Sequence, residues 1–384
     1  MSELKIAVDA HAIGRRQTGN EVYVRSLLEH YSRLGPEADF VVYTSCEEGS
    51  AWTPRGFRRR RVSKNPFVRL GVELGRRIDE DRPDLIHVQY TAPLRCGAPI
   101  VVTIHDVSYL DRPDCLPRWR AEQFRLTVRR TVRRAAKIVT VSEFSRGRIA
   151  EAYGLAPADI AVTPLAAQSR FRPMNREQAI SETRSKLGME RPFLLNVGDL
   201  HPRKNQIGLI RAFAELLREQ PQLPHALVMA GKHPWFALRV IEEVKKSGLS
   251  DRIVMTNFVD DDFLPTLYNA ADLFVFPSFY EGFGLPAIEA MACGRPVACS
   301  DATALPEVVD GAAVLFSPNS IGDQMRAMRD VLLDAELASR LERLSLQRAK
   351  FCDWRDTARK TIDVYAEVSE QRQRAAPRKE LVLS

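Results

Sequence analysis

Residues 278–291 read Ser-Phe-Tyr-Glu-Gly-Phe-Gly-Leu-Pro-Ala-Ile-Glu-Ala-Met and directly follow the apolar run 273–277. That run predicts a buried strand, and Pro286 suits the first turn of a helix, where a missing N–H costs nothing. Gly282 and Gly284 would let the intervening backbone approach a ligand closely. The N–H groups at such a helix start favour an anion. The stretch therefore predicts a strand, a ligand-binding loop and a helix.

Two carboxylates flank this predicted loop and can address different parts of one bound molecule. Glu281 lies in the loop, whereas Glu289 lies near the third residue of the predicted helix. A carboxylate accepts two hydrogen bonds from vicinal sugar hydroxyls. The alternative is a simple glycine turn followed by a helix-favouring glutamate near the positive end of the helix dipole.

Working outward, short β-branched runs alternate with helix-like segments in two series. The first series comprises residues 4–10, 40–44, 85–90, 100–105 and 138–141. The second comprises residues 193–198, 226–231, 253–259, 273–277, 296–300 and 314–317. This alternation predicts an α/β fold with two doubly wound parallel-sheet domains facing a cleft, where ligands bind at the carboxyl ends of the strands.

The boundary between the two series falls near residues 168–176. We predict an N-terminal domain over 1–172, a C-terminal domain over 173–355 and a final helical segment with a frayed tail over 356–384. One face of that segment is apolar and needs a surface to cover; its residues are Ala358, Ile362, Tyr365 and Val368.

Composition and charge narrow the function class. The 384 residues are 45% hydrophobic, which excludes a disordered chain, and no apolar stretch approaches the roughly 20 residues of a membrane span. We expect a cytosolic protein without a leader segment, whose six scattered cysteines form neither a zinc site nor a disulfide framework. Residues 1–175 hold 29 Lys and Arg against 20 Asp and Glu, and the remainder holds 27 against 29. A front half of +9 could attract polyanions, phosphorylated substrates or an anionic membrane.

Glu281 and Glu289 in their context resemble the E-x7-E signature of family-four (group 1) glycosyltransferases, similar to bacterial mannosyltransferases. The flanking residues 271–278, 291–297 and 305–308 are also similar to that family. The resemblance implies the GT-B fold, with two Rossmann-like domains. It further implies a nucleotide-sugar donor held by the C-terminal domain, an acceptor held by the N-terminal one, and a closing C-terminal helix that packs back on the N-terminal domain.

The same resemblance assigns roles to strand-end residues. Arg203 and Lys204 would neutralise the diphosphate as its charge grows during departure, without a metal. His105 would lie beside the donor sugar, and Glu281 with the following amides would bind that sugar. Glu289 would bind the ribose hydroxyls. The structural alternatives are two solvated basic residues and a satisfied strand-end histidine with Asp106 as a helix cap; His87, inside a strand, is a core residue.

Other donor-site candidates are less specific. The amides of Phe283 and Leu285 follow Glu281, and Val259 could offer backbone groups to the base. In the first strand-to-helix loop only Gly19 matches the family, because Glu21 replaces a familiar glycine. Glu307 could also line the site. The acidic triplet 260–262 invites a metal interpretation, but we interpret it as the start of a helix.

A run of basic residues suggests a membrane contact. Arg125, Arg129, Arg130, Arg133, Arg134 and Lys137 alternate with Phe124, Leu126, Val128 and Val132. Such a helix could lie against anionic lipid, or it could present a solvated face beside the cleft.

We therefore expect a retaining, metal-independent hexosyltransferase that needs no cofactor. Its donor would be a nucleotide diphosphate sugar, with GDP-mannose favoured over a UDP-sugar. Its acceptor would be a glycan or lipid-linked saccharide in cell-surface polysaccharide biosynthesis, reached from the cytoplasm or from the inner face of the membrane. One alternative is a nonhydrolysing sugar-nucleotide epimerase of the same fold. Another is a non-enzymatic nucleic-acid-binding module that uses the basic half, although no nucleic-acid motif is present and we expect no such partner.

Overall fold

The computed structural model describes residues 4–15, 18–34, 38–232 and 236–375. They form two α/β domains, each built on one parallel sheet. The N-terminal strands are β1 (Leu4–Asp9), β2 (Ala38–Thr44), β3 (Arg58–Arg61), β4 (Leu85–Gln89), β5 (Ile100–Thr103), β6 (Ala135–Thr140) and β7 (Ile160–Val162). The C-terminal strands are β8 (Phe193–Val197), β9 (Ala226–Ala230), β10 (Ile253–Met255), β11 (Leu273–Phe276), β12 (Val297–Ser300) and β13 (Val314–Phe316).

Helices connect the strands and cover both sheets. In the N-terminal domain they are α1 (Thr18–Leu34), α2 (Glu47–Trp52), α3 (Pro66–Val68), α4 (Leu74–Asp81), α5 (Ser108–Asp111), α6 (Arg118–Val132) and α7 (Glu143–Tyr153). Those that follow are α8 (Arg176–Leu187), α9 (Gln206–Glu219), α10 (Ala237–Ser247), α11 (Leu264–Ala270), α12 (Leu285–Ala292), α13 (Leu305–Val309), α14 (Ile321–Leu333), α15 (Ala335–Lys350) and α16 (Trp354–Ala375). None of these described helices is both long and apolar enough to cross a bilayer.

Strand order confirms the predicted doubly wound topology. The seven-stranded sheet runs β3-β2-β1-β4-β5-β6-β7, and the six-stranded sheet runs β10-β9-β8-β11-β12-β13. Central strands such as β4 and β11 are buried along their whole length, as expected for sheets covered on both faces. In each sheet the order reverses beside the first strand, so the loops after β8 and β11 diverge there and open a crevice.

Each predicted strand overlaps a strand of the structure. The main differences between prediction and structure concern the strands at the edges of the sheets. The four arginines of β3 form an exposed strand at the edge of the sheet. A solvated run of basic residues can form either such an edge strand or a loop. The short strand β7 carried no clear sequence signal and was missed. The chain then crosses between domains over residues 163–175, before α8 begins.

The helix α16 returns to the N-terminal domain and packs against α1, β4 and β6. Its apolar face is the predicted one, with Tyr365 fully buried and its hydroxyl 2.9 Å from that of Tyr31 on α1. The Tyr365 hydroxyl also contacts Nδ1 of His87, which places His87 in the core as expected. The predicted frayed tail begins after Gln371; residues 372–375 continue α16, and residues 376–384 lie outside the described residues.

Candidate functional site

The loops after β8 and β11 bring three charged side chains together at the carboxyl edge of the C-terminal sheet. A Glu281 oxygen lies 2.8 Å from the Arg203 guanidinium, and Lys204 Nζ donates to Glu281 Oε1 at 2.7 Å. Both cations come from a short 3₁₀ turn, Pro202–Lys204, that follows β8. Parallel strands end at one edge, so residues 77 positions apart in sequence meet here.

This cluster keeps Glu281 ionised although the residue is only 6% exposed. Burial alone would raise its pKa, but the charges of Arg203 and Lys204 outweigh burial and lower the pKa to about 2. Burial lowers the pKa of Lys204, and Arg203 adds to that effect while Glu281 opposes it. The cluster carries two cations for one carboxylate, and this excess of positive charge suits an anion.

Glu289 is equally buried, at 7%, but its surroundings are different. It is the fifth residue of α12, not the third as predicted, because the helix begins at Leu285. The hydroxyl of Tyr268 donates to Glu289 Oε2 at 3.0 Å. Desolvation raises the pKa of Glu289 to about 7, and the Tyr268 hydrogen bond opposes that rise only in part.

The two glycines of the loop also have structural tasks, and their close approach to a ligand stays a prediction. A Cβ on Gly282 would lie 2.3 Å from the carbonyl oxygen of His105, so glycine permits contact with the other domain. Gly284 has φ +105°, a conformation that disfavours other residues, and precedes α12. Phe283, between the two glycines, is buried in the core. Leu285 is partly buried and packs against the same core.

His105 follows β5 and faces this loop from the N-terminal domain. Its Nε2 lies 2.9 Å from Oε1 of Gln89, and the Tyr23 ring packs edge-on at 4.7 Å. Burial lowers the pKa of His105 to about 4, so the imidazole is neutral near pH 7 and can donate or accept one hydrogen bond at each nitrogen. Asp106 Oδ1 accepts from the Ser108 N–H at the start of α5, whose N-cap position is occupied by Val107.

Three further candidates lie outside the cluster of Arg203, Lys204 and Glu281. Gly19 lies in the first turn of α1, not in a loop, because that helix begins at Thr18. Glu21 accepts from the Gly14 N–H at 2.9 Å and pairs with Arg25, so it fixes the β1–α1 connection. Val259 is partly buried against the core that spans the two domains.

Glu307 binds a helix of the other domain, and its place in the donor site stays a prediction. Its two carboxylate oxygens accept from the N–H groups of Glu143 at 2.8 Å and Phe144 at 3.0 Å. These are the first two residues of α7, where a negative charge is favoured by the helix dipole. The acidic triplet 260–262 precedes α11, and within the described part of the chain no group of three His, Cys, Asp or Glu side chains could hold a metal.

Several contacts that sequence reasoning missed join the loop of Glu281 to the N-terminal domain. The carbonyl oxygen of Gly282 accepts from the hydroxyls of Ser142 at 2.7 Å and Ser145 at 3.2 Å. The Tyr280 hydroxyl donates to Asp111 Oδ2 at 2.8 Å. A Ser that precedes a helix signals only a cap, so no local pattern reveals these partners.

A pocket of about 490 Å³ lies between the domains beside the 3₁₀ turn. Arg112 and Asp114 line it from the N-terminal domain, and Pro202 and Phe279 line it from the other. Pro202 adjoins Arg203 in sequence, and Phe279 lies two residues before Glu281. The pocket therefore provides space for a second molecule next to the charged cluster.

Comparisons with known proteins agree with this architecture. A family model described as glycosyl transferases group 1 matches residues 178–347, and one described as glycosyltransferase family 4 matches residues 18–167. The structure is similar to that of Anabaena Alr3699/HepE in complex with UDP-glucose. The TM-score is 0.77, with 18% identity over 95% of this chain and 100% of that one. This likeness confirms the predicted GT-B fold.

Two curated relatives are similar in sequence. The chain is 34% identical over 266 residues to the O-antigen chain mannosyltransferase B of Escherichia coli. This match covers 69% of each protein. It is 36% identical over 199 residues to the serotype-specific mannosyltransferase WbdA of Escherichia coli. That second match covers 51% of this chain but only 24% of the relative, so the chain spans about a quarter of that protein.

Proposed function

The chain belongs to the group 1, family-four glycosyltransferases and is a nucleotide-sugar-dependent enzyme, and from that premise we propose that it transfers mannose from GDP-mannose. The acceptor is a hydroxyl of a glycan or lipid-linked saccharide in cell-surface polysaccharide biosynthesis, and the anomeric configuration is retained. The family membership leaves the epimerase alternative without support.

The observation that carries this proposal is the cluster of Arg203, Lys204 and Glu281 opposite His105. A departing nucleoside diphosphate gains negative charge in the transition state, and two fixed, largely buried cations stabilise that charge without reorganisation. Their side chains are 20% and 14% exposed, so the surrounding protein strengthens their electrostatic effect compared with a solvated pair.

The remaining roles are those that the family implies, and they are part of this proposal. Glu289 accepts hydrogen bonds from the ribose hydroxyls, for which it must be ionised. Glu281 and the amides after it hold the donor sugar, and the neutral imidazole of His105 orients one of its hydroxyls. The acceptor enters from the N-terminal side of the cleft. The donor needs no metal ion in this scheme, because Arg203 and Lys204 neutralise the diphosphate.

The choice of mannose is supported by the two mannosyltransferase relatives. The similar Anabaena structure contains UDP-glucose, so the base must be tested directly. We expect GDP to raise the melting temperature more than UDP or ADP at matched concentrations. A ligand at 100 times its Kd stabilises a protein by about 2.7 kcal/mol. A selective shift with UDP would contradict the GDP proposal and leave the transferase proposal intact.

The reaction itself is tested with GDP-mannose and a saccharide acceptor. We expect release of GDP and formation of an α-linked product, identified by the one-bond C1–H1 coupling of the anomeric position in an NMR spectrum. Conversion of the nucleotide sugar without nucleotide release would contradict transfer. A cytoplasmic location with contact at the inner face of the membrane is part of the proposal.

A further inference from the structure

One end of the N-terminal domain carries several exposed apolar side chains in one place. Phe67, Val68 and Val72 lie on a helical segment that runs from α3 through a π-helical turn, Arg69–Glu73, into α4. Phe67 is 76% exposed and Val72 is 73% exposed. Leu94 and Leu126 are also more than half exposed. We call these five residues the apolar patch.

Hydrogen bonds show that the three parts of the apolar patch adjoin. The Leu94 N–H donates to the carbonyl of Leu70 in the π-helical turn at 2.7 Å. The carbonyl of Leu94 accepts from the Arg130 guanidinium, and Arg130 lies one helical turn after Leu126 on α6. The loop at Leu94 therefore connects the 66–73 segment to the end of α6.

The 66–73 segment buries an arginine and exposes apolar side chains, which is the reverse of the usual distribution. Arg69 points inward, is 4% exposed and lies 3.9 Å from the buried carboxylate of Asp9, while its neighbours Phe67 and Val68 face outward. A helix on the surface of a soluble domain normally buries its apolar side chains and exposes its arginines. A segment that does the opposite is suited to an apolar medium outside the protein.

Unpaired cations surround the apolar patch. Arg95, Arg129 and Arg133 are exposed, and none of them forms an ion pair with a carboxylate of the described residues. Of the nearby carboxylates, Glu73 accepts from the Ser63 N–H and Glu122 pairs with Arg125. Exposed apolar groups with free arginines beside Leu94 and Leu126 match the chemistry of an anionic lipid surface, with fatty chains below negative headgroups.

The sequence predicted four apolar side chains of α6 for this contact, and that prediction is wrong for three of them. Val128 and Val132 of α6 are buried in the core, and the Phe124 ring packs against those of Tyr90 and Tyr109. Only Leu126 of that set faces outward. The remaining apolar area comes from residues 67–72 and 94, which lie far from α6 in sequence.

The position of α6 relates the apolar patch to the cleft. Its final turn adjoins the patch, whereas Arg120 in its first turn is close enough to His201 to contribute to lowering the pKa of that histidine. Fifteen helical residues span about 22 Å. A membrane in contact with the patch would thus lie within one helix length of the cleft.

We propose that the apolar patch and its arginines dock this enzyme on an anionic bilayer, with Phe67 and Val72 inserted at the level of the headgroups. This proposal deepens the proposed function, because it places the acceptor in the membrane as a lipid-linked saccharide. Nucleotide binding does not depend on it, so the two proposals can fail separately.

The test is co-sedimentation of the whole protein with vesicles of phosphatidylglycerol and phosphatidylcholine, compared with vesicles of phosphatidylcholine alone. We expect binding to the anionic vesicles that falls as salt is raised. The double substitution Phe67→Ser and Val72→Ser should lower the partition coefficient at least tenfold. The matched control is Leu238→Ser with Phe351→Ser, which removes two similarly exposed apolar side chains from the C-terminal domain and should change nothing.

A second pair of variants tests the charges. Arg129→Gln with Arg133→Gln should reduce the preference for anionic vesicles several-fold and flatten the salt dependence. GDP- or UDP-induced thermal shifts serve as the check on folding and on the donor site, and they should match those of the wild type. Equal sedimentation of the wild type and the Phe67 and Val72 variant would overturn the proposal. So would a concentration-dependent dimer that this variant abolishes, since it would identify the patch as a protein interface.

Discussion

Glu281 and Glu289 are eight residues apart and almost equally buried, yet their surroundings shift their pKa values in opposite directions. Glu281 lies in a loop between two cations, which lower its pKa to about 2. Glu289 lies on a helix among apolar groups with one phenol donor, and desolvation raises its pKa to about 7. Burial raises the pKa of both carboxylates; the two cations beside Glu281 outweigh that effect, whereas the single phenol beside Glu289 does not.

The difference also suggests different roles on ligand binding. The loop of Glu281 is preorganised as an ion cluster that an arriving diphosphate can enter. With a pKa of about 7, Glu289 is partly protonated near neutral pH. A ligand that needs the ionised carboxylate therefore binds more weakly at neutral pH than at higher pH. Each prediction below changes one member of this pair or a group that holds it.

The largest effect is expected for Glu281→Gln, which leaves Arg203 and Lys204 buried without a counter-charge. We expect the free energy of unfolding to fall by about 3 kcal/mol, measured by urea denaturation at pH 7. GDP or UDP should stabilise this variant more than the wild type, because the diphosphate supplies the missing negative charge. Glu243→Gln, which breaks the more exposed pair with Arg211, is the control and should cost less than about 1 kcal/mol.

A smaller effect, of opposite sign, is expected for Glu289→Gln at high pH. Because the folded-state pKa is raised, the protonated carboxyl contributes stability that is fully present below the unfolded pKa, near 4.5, and is lost as pH rises through about 7. The variant should therefore be about 2 kcal/mol more stable than the wild type at pH 8 and similar to it at pH 4.5. The same variant should bind the nucleotide more weakly at pH 8. A stability difference that does not change with pH would show that Glu289 titrates normally.

Tyr268→Phe tests the hydrogen bond that holds Glu289. Loss of the donor should cost about 1 kcal/mol at pH 8, where the carboxylate is ionised, and less at pH 5. The pKa of Glu289 should rise further, so the pH at which nucleotide affinity increases moves upward. A titration of nucleotide Kd against pH measures this, and an unchanged midpoint would contradict the assigned contact.

A last effect, which should not depend on pH, is expected for Ser142→Ala, which removes a hydrogen bond to the Gly282 carbonyl and the N-cap bond to the Ser145 N–H of α7. The Gly282 carbonyl retains Ser145 as a donor, so we expect a loss of about 1 kcal/mol in stability, mainly from the lost cap. The pH dependence attributed to Glu289 should not change. If Ser142→Ala shifted that dependence, the loop and the helix would be one coupled unit and the comparison between them would fail.

The sequence was sufficient for the parts that depend on local pattern and on strand-end geometry. Apolar runs with turn residues predicted most strands, and the rule that parallel strands end at one edge placed Arg203, Lys204 and Glu281 on the same side. The predicted GT-B fold followed from residues 278–291 and their flanks. These signals are contained in stretches of fewer than about twenty residues.

What the sequence could not predict are partners that only the tertiary fold brings together. Gln89 beside His105, Tyr268 beside Glu289 and Ser142 beside Gly282 are all ordinary residues in their own segments. The charge state of Glu289 depends on such neighbours, and so does the outward orientation of Phe67. Glu307 illustrates the reverse case, because its sequence context suggested the donor site and the fold uses it to cap α7.

The return of α16 to the N-terminal domain has a consequence for biosynthesis. The last strand of that domain ends at Val162, but the helix that covers Tyr31 on α1 begins only at Trp354. At a synthesis rate of about 5–20 residues per second, the ribosome needs roughly 10–40 s to make the intervening chain. Throughout that interval the nascent domain exposes the aromatic surface that α16 later covers. The first domain to be made is therefore the last to be completed, and its uncovered face is where a chaperone would act.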